Sequence, residues 1–153
     1  QQHDNETLLP VQARSYELPA ISGNESCEVI RFLMGIENPS PGVVEAVKRA
    51  VDWLEKVQIR GIRVERITLP EEQIINHEYP YDNVVVEDPN AEPIWARYYE
   101  VADNTPFLCT RAGVKVWKLA DVNAERRTGY DWYGYWPKSV LAAYPDWLKS
   151  VGR

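Results

Sequence analysis

Ser40 followed directly by Pro41 constrains the folding of this chain more than any other local pattern in it. Proline at the first helical position gives up an amide that has no intrahelical partner, and a serine before it can accept from an amide that would otherwise be free. From that start, Val44, Val47, Val51, Leu54 and Val57 recur as one apolar stripe, while Glu45, Lys48, Arg49, Asp52, Glu55 and Lys56 supply a polar surface. Glu45 and Arg49 are also spaced for a helical ion pair. The pattern predicts a helix running from Pro41 to Val57.

A second helix is expected just upstream. In ESCEVIRFLMGI, Val29, Ile30, Leu33 and Met34 recur at helical spacing behind a cap at Ser22 or Asn24, which predicts a mostly buried helix over residues 25–36. The Asn38-Pro39-Ser40-Pro41 turn joins the two into an α-hairpin. The first twenty residues, broken by Pro10 and Pro19, read as an irregular segment packed by Leu8, Leu9 and Tyr16.

After Arg60 the periodicity weakens. GIRVERI reads as a short strand, LPEEQIINHEYPYD as a polar excursion, and Val84-Val85-Val86 as a short buried strand ending at Asp88-Pro89. ARYYEV, PFLCT and VKVWKL alternate as a small antiparallel sheet, with Asp103-Asn104 and Ala112-Gly113 as its turns. Leu119, Val122 and Arg126 have helical spacing, and WPKSVLAAYPDWLKSV closes the chain with a helix interrupted near Pro145. The expected architecture is one unit, mainly α, with a minor antiparallel sheet.

Residues 93–137 gather four arginines, four tryptophans and five tyrosines. Guanidinium forks match carboxylate oxygens bidentately, and flat amphipathic rings cover the apolar faces of pyranoses, so this stretch suits a sugar polymer bearing carboxylates. A net charge of -6 argues against a general nucleic-acid binder and provides no global steering toward an anionic polymer. No run approaches the roughly eighteen apolar residues of a membrane span, and QQHDNETLLP lacks the basic start and apolar core of a signal peptide.

Other chemistries find little support. His3 and His77 have no metal-ligand spacing and read as solvent-facing groups, and no nucleophile elbow, phosphate loop or dinucleotide fingerprint occurs. Glu71-Glu72 and Glu87-Asp88 read as solvated surface. Arg60, Arg63 and Arg66 either line a groove or flank a strand with charge. Cys27 and Cys109 are too few for a disulfide framework and too far apart for a zinc signature, and whether they pair stays open.

QQHDNETLLPVQARSYELPAISGNES, VIRFLMGIENPSP, GIRVE, PIWARYYE and ERRTGYDWYGYWP, in that order, strongly resemble the carboxyl-terminal half of the catalytic domain in the family ten polysaccharide lyases, the pectate lyases. The resemblance spans nearly all of residues 1–153. It implies part of an α/α toroid and calcium-assisted β-elimination of polygalacturonate with an arginine base. Arg14 in QARSYELP is the expected base and Arg31 the alternative. Arg97 and Arg111 are carried over as carboxylate-binding groups, with Arg31 and Arg127 completing the substrate-binding set.

Arg126 and Arg127 have a competing role as a salt-bridged pair with Glu125 or Asp131. The family's calcium-binding aspartates belong to the amino-terminal half, so no metal ligand is assigned here. Secretion is implied by the family. By itself the chain is expected to be weak or inactive, its apolar helix faces covered by a complementary amino-terminal fragment or a second copy. A noncatalytic pectate-binding module and an inactive remnant are the alternatives.

Overall fold

The computed structural model describes residues 2–74 and 79–152, so His77 lies outside the described residues. In chain order the elements are β1 (Gln2–His3), β2 (Pro10–Val11), β3 (Ile21–Ser22), α1 (Glu25–Met34), α2 (Pro41–Lys56), β4 (Ile62–Thr68), α3 (Glu71–Ile74) and β5 (Tyr81–Glu87). There follow β6 (Trp95–Ala96), β7 (Tyr98–Tyr99), β8 (Pro106–Cys109), β9 (Lys115–Val116), α4 (Ala124–Gly129), β10 (Tyr133–Gly134) and α5 (Pro137–Val151).

This is a mixed α and β fold, which overturns the expected mainly α chain forming part of an α/α toroid. Among the described helices only α1, α2 and α5 exceed six residues, and the described strands pair antiparallel in four small sheets. The physical reason lies in strand length. Seven of the ten strands have two residues each, and alternation needs about four or more residues to register in a sequence. Such strands are held by partners far along the chain, as β3 is by β7, Ile21 opposite Tyr99.

α2 forms from Pro41 as its local chemistry dictates, with the Ser40 hydroxyl accepting from the Val43 amide at 3.4 Å. Val47, Val51 and Leu54 are buried against Cys27 and Ile30 of α1 and Val140 and Trp147 of α5, making a three-helix layer. Burying side chains of this size contributes about 1.5–3 kcal/mol each. Glu45 pairs with Lys48 at 3.0 Å instead of the expected Arg49. Helix α5 is continuous through Pro145, which sits on its exposed side, so the expected interruption does not occur. Asn24 is the N-cap of α1 and makes no side-chain cap bond; the Ser22 hydroxyl oxygen, two residues before it, accepts from the Asn24 and Glu25 amides at 3.3 and 3.1 Å. That helix is less buried than its sequence predicts: Val29 is 58% and Phe32 72% exposed.

A second core, under the four-stranded sheet β3-β7-β8-β9, gathers Tyr98, Phe107, Leu108, Leu119, Val122 and Trp132. Tyr16 packs on it from the irregular amino-terminal segment, whereas Leu8 and Leu9 stand exposed. Trp95, Ala96 and Tyr99 join the two layers. Trp95 Nε1 donates to the Leu54 carbonyl at 2.8 Å, and the Tyr99 hydroxyl donates to the Val57 carbonyl at 3.0 Å while accepting from the Ala96 amide at 2.9 Å. Both cysteines are free and buried, Cys27 in the helical layer and Cys109 in the sheet core.

β4 and β5 form a seven-residue antiparallel hairpin, from Ile62 opposite Glu87 to Thr68 opposite Tyr81. Val85 is exposed on it, contrary to a buried strand. Arg127 of α4 ties this hairpin down through a part-buried ion pair with Asp82. The Asn83 amide adds a bond to the Arg127 carbonyl at 3.0 Å.

Candidate functional site

Three arginines converge on one ring. The guanidinium carbons of Arg14, Arg111 and Arg126 lie 5.4, 5.2 and 4.7 Å from the centroid of Tyr16, each in cation–π range. Together with Glu17, Glu125, Gly129 and Tyr130 they line a cleft of about 240 Å³.

Local backbone chemistry sets each one. Ala13 and Glu17 amides bond to the Glu17 and Arg14 carbonyls at 3.0 and 2.9 Å, closing a tight turn that carries Arg14 and Tyr16. Arg111 sits in the turn between β8 and β9, where the Thr110 amide reaches the Val114 carbonyl at 2.9 Å. Gly113 completes that turn at φ +82, a conformation open to glycine at no steric cost. A Cβ at Gly113 would also fall on the Ser15 carbonyl, so the glycine lets the two arginine-bearing turns touch. Arg126 comes from α4, directly beneath them.

Of the three guanidiniums on Tyr16, two have a carboxylate partner. Glu17 holds Arg14 at 2.5 Å, and Glu125 holds Arg111 at 2.8 Å. These bonds raise the pKa of both arginines, and the Arg14 hydrogen bond holds the Glu17 carboxyl below the usual carboxylate range. Arg126 is only 6% exposed and has no ion pair among the described residues. It stacks instead near Tyr16, Tyr130 and Trp132, and its Nε donates to the Cys109 carbonyl at 3.2 Å.

Arg97 joins the group at one remove, its guanidinium 4.4 Å from the centroid of Tyr130, whose other cation is Arg126. It is ion-paired with Glu25. Burial opposes ionisation of Glu25, but the Ser22 hydroxyl and Arg97 outweigh it and keep the carboxyl below its usual range. Arg97 Nε and Glu125 Oε2 are buried without hydrogen-bond partners among the described residues.

The structure thus brings Arg14 and Arg111 together in the cleft, sets Arg97 behind Tyr130 and outside the cleft lining, and places Arg31 and Arg127 elsewhere. Arg31 lies on α1, bonded to Glu28, the Trp136 carbonyl and Ser139. Arg127 points to Asp82 in the hairpin, and not to Glu125 or Asp131. Successive residues on a helix point about 100° apart, and here Arg126 turns to Tyr16 while Arg127 turns to Asp82. Tyr16 and Tyr130, the shared rings, were missed by sequence reasoning; the only signal was an aromatic placed beside each arginine motif. Of the remaining acids, Asp88 binds Arg63 at 3.0 Å, whereas Glu71, Glu72 and Glu87 are exposed.

Calcium finds no fitting donor set among the described residues. Among the described residues no group of three or more histidine, cysteine or acidic side chains is placed to hold an ion, and the cleft's two glutamates each hold an arginine.

The family described as pectic acid lyase matches residues 1–141, and the chain belongs to it. A family 10 polysaccharide lyase from Cellvibrio cellulosa aligns with TM-score 0.70 and 28% identity, over 99% of this chain and 42% of that one. A mutant of a family 10 polysaccharide lyase from the same organism, in complex with trigalacturonic acid, aligns with TM-score 0.72 and 27% identity, over 99% of this chain and 43% of that one. The chain therefore spans less than half the length of either structure. No curated protein matches it.

Proposed function

We propose that residues 1–153 are the carboxyl-terminal portion of a pectate lyase catalytic domain, one that cleaves polygalacturonate by β-elimination. The observation that carries this reading is the convergence of Arg14, Arg111 and Arg126 on Tyr16 in one cleft. Guanidinium forks bind uronate carboxylates, and a tyrosine offers an apolar face to the ring.

In the reaction a base takes the C5 proton. The C–H electron pair becomes the C4–C5 double bond as the bond to the leaving oxygen breaks, and that oxygen gains a proton. Arg97 and Arg111 would grip carboxylates and stabilise the enolate-like charge that develops. Arg14 is the proposed base. A free guanidinium is too weak an acid to give up its proton near neutral pH, so it must first be made more acidic, as a neighbouring positive charge would make it. Glu17 acts against it. Arg14 must therefore leave Glu17 before it can accept a proton.

Calcium, if the whole enzyme uses it, would be held by residues beyond these 153, and no step here runs through it. The polymer lies outside cells, so the reading implies secretion. No described helix is long and apolar enough to cross a membrane.

The Arg14–Glu17 pair also favours a second reading, a noncatalytic pectate-binding module, because it stabilises the protonated guanidinium. Ultraviolet absorbance of unsaturated product separates the two. The chain is incubated with polygalacturonate at alkaline pH with calcium, alone and with a complementary amino-terminal segment from a family member. Product in the mixture supports the lyase. Binding without product in either supports the module, and no binding at all overturns both.

A further inference from the structure

We propose that the β4–β5 hairpin carries an additional binding position for an anionic sugar, extending the arginine cleft along the polymer. This rests on the reading of the cleft as a polyuronate site.

Gly129, which lines the cleft, is the meeting point: its Cβ direction looks onto the Tyr79 ring, with the hydroxyl 3.8 Å and Cε2 3.9 Å away. Tyr79 stacks on Tyr81 with centroids 5.3 Å apart and planes 25° apart. The Arg66 guanidinium in turn lies 4.1 Å from the Tyr81 centroid. Arg66 pairs with Asn83 across the hairpin, so Tyr81, two residues before Asn83, is its diagonal neighbour and within reach. The result is a ladder of two tyrosines and a guanidinium leading outward from the cleft rim.

Arg66 has the chemistry of a carboxylate receptor. Stacking uses the flat face of a guanidinium and leaves its in-plane N–H donors available for a fork of carboxylate oxygens. No ion pair to Arg66 is formed among the described residues, whereas Arg63 on the same strand is paired with Glu65 and Asp88. The tyrosine hydroxyls and ring edges between Arg66 and Gly129 suit the hydroxyl-rich body of a pyranose. Asp82 and Asn83 anchor the hairpin to α4, which fixes the ladder relative to the cleft.

The test compares binding of a galacturonate trimer and octamer by calorimetry, using the 153-residue chain and its Arg66→Ala, Arg66→Lys and Tyr79→Ala variants. The unaltered chain should bind the octamer more tightly than the trimer. Arg66→Ala should weaken octamer binding about fivefold, at the upper end for an exposed charge pair, and leave the trimer unchanged. Tyr79→Ala should do likewise, and Arg66→Lys should recover part of the loss, since it keeps the charge without the fork. Wild-type octamer affinity in both alanine variants overturns the extended site alone. Equal weakening of trimer and octamer also overturns it, because the ladder would then act only by shaping the cleft. Failure of the unaltered chain to bind either oligomer removes the polyuronate reading and this inference with it.

Discussion

Tyr16 does for the arginines what a carboxylate does elsewhere in the chain. A π face attracts a cation through its quadrupole, so one ring gathers three guanidiniums, of which Arg14 and Arg111 also donate to Glu17 and Glu125. The carboxylates are the restraint on this arrangement. Glu17 raises the Arg14 pKa, and its own carboxyl lies below the ordinary value of 4.5. Its stabilising effect is therefore present above that ordinary value and is lost as pH falls through the lower, folded one. For catalysis the sign runs the other way, because an arginine whose pKa is raised needs more alkaline conditions to become a base. Glu17→Gln should shift the rising limb of the pH–rate profile to lower pH in any preparation that turns polygalacturonate over. An unmoved limb would show that Arg14 is not the titrating base. The arginine motifs were legible in the sequence. Which of two adjacent arginines faces the cleft was not, because that depends on how α4 is rotated against the sheet.

The turns decide how these side chains meet. Gly113 holds a positive φ and lies against the Ser15 backbone, so the Arg111 turn and the Arg14 turn are packed at a distance that only a missing Cβ permits. Gly113→Ala should separate them. Oligogalacturonate affinity should fall about tenfold or more, while the helical layer stays intact by far-ultraviolet circular dichroism, since a strained φ costs on the order of 1–3 kcal/mol locally. Affinity retained at the wild-type level would mean that the two turns bind independently. Helix α2 was readable from its cap, its proline and its stripe, all within four turns of chain. The two-residue strands were not, and neither was the continuity of α5 through Pro145. There the proline's missing amide and the bend it tolerates fall on the solvent side.

Over the whole molecule, a net charge of -6 surrounds a cleft of clustered cations. Attraction of an anionic polymer is therefore local, and it should weaken steeply with salt only for the part that contacts the cleft. The outward side of α1 tells of a further neighbour. Val29 and Phe32 lie three residues apart on that side, both exposed, in a chain that spans less than half the length of its structural relatives. We propose that the rest of the family's catalytic domain covers them. Phe32→Ser should leave the melting temperature of the isolated chain nearly unchanged, because an exposed side chain contributes little. It should weaken association with a complementary amino-terminal segment, measured by analytical ultracentrifugation. Unchanged association would place the contact elsewhere, and self-association of the unaltered chain would identify a second copy as the occupant.

Neighbouring residues were enough for the long helix after Ser40, for a short strand within GIRVERI, and for membership of the pectic acid lyase family. Those depend on caps, periodicity and motifs, which are written in neighbouring residues. The tertiary structure alone decided that Arg14, Arg111 and Arg126 share the ring of Tyr16, that Arg127 turns to the hairpin, and that Cys27 and Cys109 sit apart in different cores. Side chains from turns about a hundred residues apart meet only when two layers pack, and no local pattern encodes the geometry of that packing.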